Sequence, residues 1–279
     1  MDLIIGLATD FDWPQLEPYA VSLHRTGYDG EKALLSHNLT PLAIENLTNL
    51  GFKLIPLEGQ DIHAHAYRHF AVWKYLVNST PFRYVICSDV KDVIFQRDPT
   101  KFLEKEFAFR EEQRDPNYGI VAASECMWYR NTVWGRNNMS GSFSSEIADW
   151  MSTKEMCCAG TLAGDGFTMG GLLLSIYLLS KGSINKYESP DQAAYNILIN
   201  QDPYRTVTRV PYMKEGFILT AHNLVVEPAY KPFLIDEPPT FDEENGLVLA
   251  PGSGIPFCMV HQYDRVPLWN NVLRKKHTI

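Results

Sequence analysis

Arg83-Tyr84-Val85-Ile86-Cys87-Ser88-Asp89-Val90-Lys91-Asp92-Val93-Ile94-Phe95-Gln96-Arg97-Asp98-Pro99 is an apolar run that ends in two carboxylates three positions apart and then turns apolar again. A continuous apolar run, as opposed to an alternating one, marks a strand covered on both faces. The upstream sequence repeats that pattern. Strands are expected at residues 3–7, 33–36, 52–56 and 83–87, with helices at 13–25, 41–50 and 64–77 between them. This alternation predicts βαβ units and a doubly wound, mostly parallel α/β sheet. Ligands of such sheets sit beyond the carboxyl ends of the strands. Ala8, Thr9 and Asp10 follow the first strand, and Ser88 and Asp89 follow the fourth.

Downstream the character changes. Strands are expected at 118–123, 157–162 and 256–260, a buried helix at 167–180 stopped by Gly182, and another helix at 191–200. Pro228, Pro232, Pro238, Pro239, Pro251 and Pro256 break the remainder, which ends in a basic tail, Arg274-Lys275-Lys276. Without repeats or a low-complexity linker, the expectation is one mixed α/β domain over 1–279, its carboxy-terminal segment wrapping back across it.

Composition narrows the function. With 45% hydrophobic and 21% charged residues the chain can build a core, and its net charge of −8 excludes an extended nucleic-acid footprint. The longest apolar stretch, residues 172–179, is interrupted by Ser175 and falls far short of the ~20 residues that span a bilayer. Residues 1–7 lack the charged flank and cleavage region of a secretion signal. Five scattered cysteines without a CxxC pair fit buried thiols in a reducing compartment, so a cytoplasmic location is expected. The Asn-x-Ser/Thr matches at Asn38, Asn46, Asn78 and Asn138 then carry no weight.

Two carboxylates at the end of a buried strand suit a hard divalent cation while leaving positions open for phosphate. The same residues also suit a plainer arrangement, Asp89 capping a turn and Asp92 pairing with Lys91 or Arg97.

The segment resembles the signature of the GT-A-fold glycosyltransferases, nucleotide-sugar-dependent enzymes in which a strand ending in Asp-x-Asp holds a metal on the donor diphosphate. Here the spacing is Asp-x-x-Asp. The resemblance makes Asp92, ahead of Val93-Ile94-Phe95, the direct metal ligand, and leaves Asp89 to touch metal, ribose or a bound water. Cys158-Ala159-Gly160-Thr161 is similar to the small-residue strand beneath the donor sugar in glycogenin-like members, with Cys158 where Asn is usual. Ser189-Pro190-Asp191-Gln192 followed by Asn196 resembles the Asp-Gln segment beside the anomeric carbon. Val260-His261-Gln262-Tyr263-Asp264-Arg265 resembles the late segment whose His completes the metal site. Arg265 stands in for a Lys on the diphosphate, a role a guanidinium fits. The four stretches follow the family's order over most of the chain.

Each has a plainer reading. Ser189 and Gln192 match a capping box with Pro190 at the first helical position and Asp191 favoured by the helix dipole. His261 is beside an apolar run, where histidines are commonly hydrogen-bonded core residues; with two carboxylates it would suit manganese somewhat better than magnesium. On the third helix His65, Arg68 and His69 share a face opposite an apolar stripe of Phe70, Trp73 and Val77. Arg68 then reaches the donor or is solvated. His65 and His69 lack the acidic residue of HExxH, which makes a zinc hydrolase a poor reading. Asp10 either meets the nucleotide or caps the helix near Trp13. Gly164, Gly166, Gly170 and Gly171 do not form a dinucleotide fingerprint and suit close packing or room for a sugar. Trp128, Tyr129 and Trp134 either stack on an acceptor or belong to an ordinary surface.

The resemblance implies a metal-dependent hexosyltransferase, retaining in the manner of glycogenin, using Mn²⁺ or Mg²⁺. Its donor would be a nucleotide diphosphate sugar, a UDP-sugar foremost, and its acceptor a glycan or glycoconjugate. Asp89, Asp92 and His261 would hold the metal, Ala8, Thr9, Asp10, Arg68, Asp89, Gly160 and Arg265 the donor, and Asp191 and Gln192 would act at the anomeric centre. Residues 1–115 would form the nucleotide half and 116–279 the sugar and acceptor half. A noncatalytic nucleotide-sugar or glycan-binding protein of the same fold is the alternative. A sugar-phosphate nucleotidyltransferase fits less well, because Ala8-Thr9-Asp10 is acidic where a Gly-rich basic loop is expected.

Overall fold

The computed structural model describes residues 1–57, 64–112, 119–184, 189–222 and 228–279. Its first part runs β1 (Leu3–Thr9), α1 (Trp13–Arg25), β2 (Glu31–His37), α2 (Pro41–Asn49), β3 (Phe52–Pro56), α3 (Ala64–Val77), β4 (Tyr84–Ser88), β5 (Val93–Phe95) and α4 (Pro99–Glu112). Local chemistry sets these boundaries. Asp12, not Asp10, caps α1 in a capping box with Gln15, and Thr40 caps α2 ahead of Pro41. Asp10 instead sits at φ 57° and accepts from Asn38 Nδ2 at 2.6 Å.

The second part runs β6 (Ile120–Trp128), α5 (Val133–Ser142), α6 (Ser145–Met151), β7 (Glu155–Asp165), α7 (Gly166–Lys181), α8 (Pro190–Ile199), β8 (Thr208–Arg209), β9 (Ile218–Thr220), β10 (Thr240–Asp242), β11 (Leu247–Leu249), β12 (Met259–His261) and α9 (Pro267–Lys276). Among the described residues the main sheet has the order β3-β2-β1-β4-β7-β6-β8. β3, β2, β1 and β4 are parallel, β7 is antiparallel to both β4 and β6, and β8 is parallel to β6. The result is a mixed, mostly parallel α/β domain.

Both sheet faces are covered, which explains the unbroken apolar strands. Ile4, Leu34 and Ile86 pack with Leu16, Tyr19 and Leu47 of α1 and α2. Their neighbours Leu3, Ala33 and Val85 pack on the other face with Val72 of α3, Leu172 of α7 and Tyr195 of α8. Asn196 fixes α8 to β7: Oδ1 accepts the Cys157 N–H at 2.8 Å and Nδ2 donates to Cys157 O at 2.7 Å. The expected stripe on α3 is displaced. Ala66, His69, Ala71 and Val72 are its buried positions, Phe70 packs on Tyr177 of α7, and Val77 is 57% exposed. Among the expected close-packed glycines, Gly164 and Gly166 lie against the backbone of Gly119 and Phe82, whereas Gly170 faces open space.

The carboxy-terminal segment does return across the domain. β12 pairs antiparallel with β5 and parallel with β9, in the register that sets His261 opposite Val93. Residues just after the acidic pair clasp it: Gln96 Nε2 donates to Val248 O at 2.9 Å and Phe257 O at 3.0 Å, and Arg97 Nε donates to Pro256 O at 2.7 Å. Those side chains occupy the carbonyls of Pro256 and Phe257, and Pro256 has no N–H, so the strand begins later than residue 256. β6 outruns its expected end, with irregular pairing between Ala122 and Trp128; Tyr118 is outside the described residues. The basic tail is the last turn of α9, where Lys276 Nζ donates to Asn245 O at 2.9 Å and Arg274 donates to Pro14 O.

His277 follows that turn, 4% exposed, and among the described residues neither ring nitrogen has a hydrogen-bond partner. Burial, helped by the Lys276 and Arg25 charges, pushes its imidazole from 6.5 down to about 4. Between those values the unfolded chain binds a proton that the folded chain does not, so stability falls as pH drops through the window and levels off below it. The loss from this residue is at most about 3 kcal/mol. Urea denaturation at pH 7 and pH 4.5 is expected to give a smaller acid loss for His277→Leu than for the native chain; equal losses would refute this.

Candidate metal and donor site

β4 ends at Ser88, and the Asp89 N–H continues the ladder by donating to Gly160 O on β7 at 2.7 Å. The chain then turns through Val90 and Lys91, and Asp92 leads into β5. Because β12 pairs with β5, His261 arrives beside both acids. Its Nε2 is 3.3 Å from Asp89 Oδ2 and 3.6 Å from Asp92 Oδ1. One donor atom from each of Asp89, Asp92 and His261 falls within 4.8 Å of the others. Adjacent donors around an ion with bonds of ~2.1 Å are about 3 Å apart, so this set needs little adjustment to share one cation. Gln262, at φ 59°, locks the turn by donating its N–H to Asp92 O at 2.7 Å. Arg265 Nη2 reaches Asp92 Oδ2 at 3.7 Å.

Gly160 forms the floor. A Cβ there would lie 2.5 Å from His261 Cε1 and 2.6 Å from Asp89 Oδ2, so only glycine lets His261 and Asp89 approach the strand this closely. Neither cation of the plainer pairing reaches Asp92: Lys91 is exposed, and Arg97 is committed to Pro256 O and Gly216 O.

Arg68 is neither solvated nor remote. Its side chain is 13% exposed, and the guanidinium donates to Asp89 Oδ1, to Ala159 O at 2.8 Å and to Asp191 Oδ2 at 3.0 Å. His69 Nε2 is 3.4 Å from the same Asp191 oxygen. Burial alone would raise both carboxyls. At Asp89 the Arg68 charge and the His261 contacts outweigh it, and at Asp191 the His69 hydrogen bond and the Arg68 charge do; both acids are held below the usual carboxylate range. Burial pushes His69 down and Asp92 up. At His261 burial works downward, but Cys158, Asp92 and the Asp89 hydrogen bond reverse it and raise the imidazole.

Arg68, Asp89, Asp191, Cys158 and His261 line a cavity of about 510 Å³ that also receives Glu125, Trp134, Ser189, Gln192, Tyr230 and Arg265. The capping box expected at α8 is absent. Ser189 makes no side-chain cap, and Gln192 turns inward, donating to Glu125 Oε1 at 2.7 Å while its own oxygen accepts the Ala159 N–H at 3.4 Å. Glu125, 7% exposed, is the residue that sequence reasoning missed; a single acid in the otherwise buried run of β6 was its signal. Tyr129 is 1% exposed and has no face to offer an acceptor, whereas Trp134 is 45% exposed at the cavity wall. Thr9 and Asp10 are at the same carboxyl edge outside the cavity lining, and the Ala8 side chain is in the core, which leaves it only backbone atoms for a ligand.

No protein-family model matches the sequence, and a search of curated proteins matches none. Solved structures do match. The WbbM bifunctional glycosyltransferase aligns at 12% identity and TM-score 0.56, covering 100% of this chain and 51% of that one. The glycosyltransferase GlyE of Streptococcus pneumoniae TIGR4 aligns at 14% and 0.56, covering 99% and 63%. Mouse xyloside xylosyltransferase 1 aligns at 11% and 0.54, covering 94% and 97%. The fold is that of the GT-A glycosyltransferases. At these identities the likeness is one of GT-A architecture. No helix among the described residues is long and apolar enough to cross a membrane.

Removing Arg68 leaves Asp191 buried with a neutral histidine as its remaining partner. Arg68→Met is expected to cost about 3–5 kcal/mol in chemical denaturation, as for a buried pair deprived of one partner. A loss below about 1 kcal/mol would contradict the bridging role.

Proposed function

We propose that the chain is a metal-dependent glycosyltransferase that moves a hexose from a nucleotide diphosphate sugar, a UDP-sugar in the first instance, to a glycan or glycoconjugate acceptor with retention of configuration. The observation that carries this is the convergence of Asp89, Asp92 and His261 beside a cavity that Asp89 and His261 line together with Arg68, Asp191 and Gln192. The donor set of two carboxylates and an imidazole over a glycine floor fits Mn²⁺ or Mg²⁺. When bound, the ion would supply Lewis-acid stabilisation of the departing diphosphate.

The chain's own residues have separable tasks in this reading. Arg265 adds positive charge beside Asp92, where diphosphate oxygens would lie. Thr9, Asp10 and the Ala8 backbone meet base and ribose, which makes 1–115 the nucleotide half and 116–279 the sugar and acceptor half. Asp191, kept ionised by Arg68 and His69, accepts from sugar hydroxyls; Gln192, held at both ends of its amide, stands at the anomeric centre as charge develops there. Trp134 and Tyr230 offer apolar faces to an acceptor at the mouth.

The test is donor hydrolysis and transfer by the native chain with and without EDTA, and by Asp92→Asn. EDTA is expected to abolish turnover and Asp92→Asn to lower it about 10²–10³-fold. Activity unchanged in both removes the metal from the mechanism. Tight calorimetric donor binding with no product across a broad acceptor panel would favour a noncatalytic binding protein, a reading to which Cys158 in place of Asn lends some weight.

A further inference from the structure

β7 alternates faces, so Cys157 and Ala159 enter the core while Cys158 and Gly160 face His261. Cys158 Sγ accepts the Gly160 N–H at 3.3 Å and is 3.4 Å from His261 Nδ1. The opposite ring nitrogen, Nε2, is the one that faces Asp89 and Asp92. Among the described residues the sulfur is the hydrogen-bond partner of Nδ1. A ligating histidine needs its lone pair on one nitrogen and its proton on the other, and a fixed acceptor for the far N–H settles which is which.

We propose that Cys158 is a positioning residue for the metal site, its sulfur accepting the His261 Nδ1–H and so holding the ring with Nε2 open to the cation. The inference rests on the metal-site reading above. It assigns a task to the one residue where the small-residue strand departs from the resembled pattern: the thiol serves the histidine. A serine hydroxyl would stand a few tenths of an ångström further from Nδ1, because a C–O bond is shorter than a C–S bond, and would restore the contact in part. Cys157 supplies the control. It is the adjacent thiol, equally buried, on the face that does not touch His261.

The experiment measures Mn²⁺ affinity by electron paramagnetic resonance in the presence of UDP for the native chain, Cys158→Ala, Cys158→Ser and Cys157→Ala. Cys158→Ala is expected to weaken Mn²⁺ binding about 10–100-fold, as loss of a histidine's outer partner does, with Cys158→Ser intermediate and Cys157→Ala within about twofold of native. Native Mn²⁺ binding that Cys158→Ala and Cys158→Ser both retain within twofold overturns the positioning role and leaves the metal site standing. Absence of Mn²⁺ binding by the native chain overturns both.

Discussion

The structure turns on one buried guanidinium. Arg68 comes from the middle of α3 and reaches three other elements at once: the carboxylate just past β4, the backbone of β7 at Ala159 and the first turn of α8 at Asp191. Two acids sharing one guanidinium would otherwise repel each other, and Asp191, 2% exposed, would tend to protonate. The cation between them favours the ionised form of both and ties the end of β4, β7 and α8 together. His69 completes the arrangement from the same helix, one residue further on, bonded to the far acid. The acid that faces the proposed cation and the acid that faces the proposed sugar are thus parts of a single charge network.

A second constraint is the return of the carboxy-terminal segment. β12 has three residues, too few to hold its own place, yet its register against β5 decides where His261 sits. Gln96 and Arg97 supply the missing bonds with side chains, taking carbonyls from Phe257, Val248, Pro256 and Gly216. The residues that follow the acidic pair in sequence therefore serve to fasten the histidine that joins it.

Much of this was legible in the chain itself. The first seven elements follow from periodicity, since both faces of the sheet are covered; the caps of α1 and α2, Asp12 and Thr40, emerged only with the structure. The acidic pair and His261 were visible as candidates through resemblance, and the register of β12 brings them together. What escaped were choices made by tertiary partners. Gln192 reads locally as a capping residue but finds Glu125 and Ala159, while Arg68 reads as a donor contact or a solvated cation and finds two acids more than twenty and a hundred residues away. β6 reads as a short strand because its irregular pairing near Cys126, at φ 56°, has no local signature. Periodicity sees one element at a time, and such contacts belong to pairs of them.

The antiparallel insertion of β7 between β4 and β6 has an architectural corollary. Its direction reverses the polarity of the central ladder beside the acidic turn, so the amino-terminal portion of one strand, Cys158 to Gly160, borders the carboxyl terminus of another. A purely parallel arrangement would place a strand's exit loop there, with all the variability loops tolerate. Here the ground beneath the cavity is hydrogen-bonded sheet. Diversification on this scaffold is thereby steered toward the walls and mouth, while the base on which the two acids and the imidazole rest stays rigid.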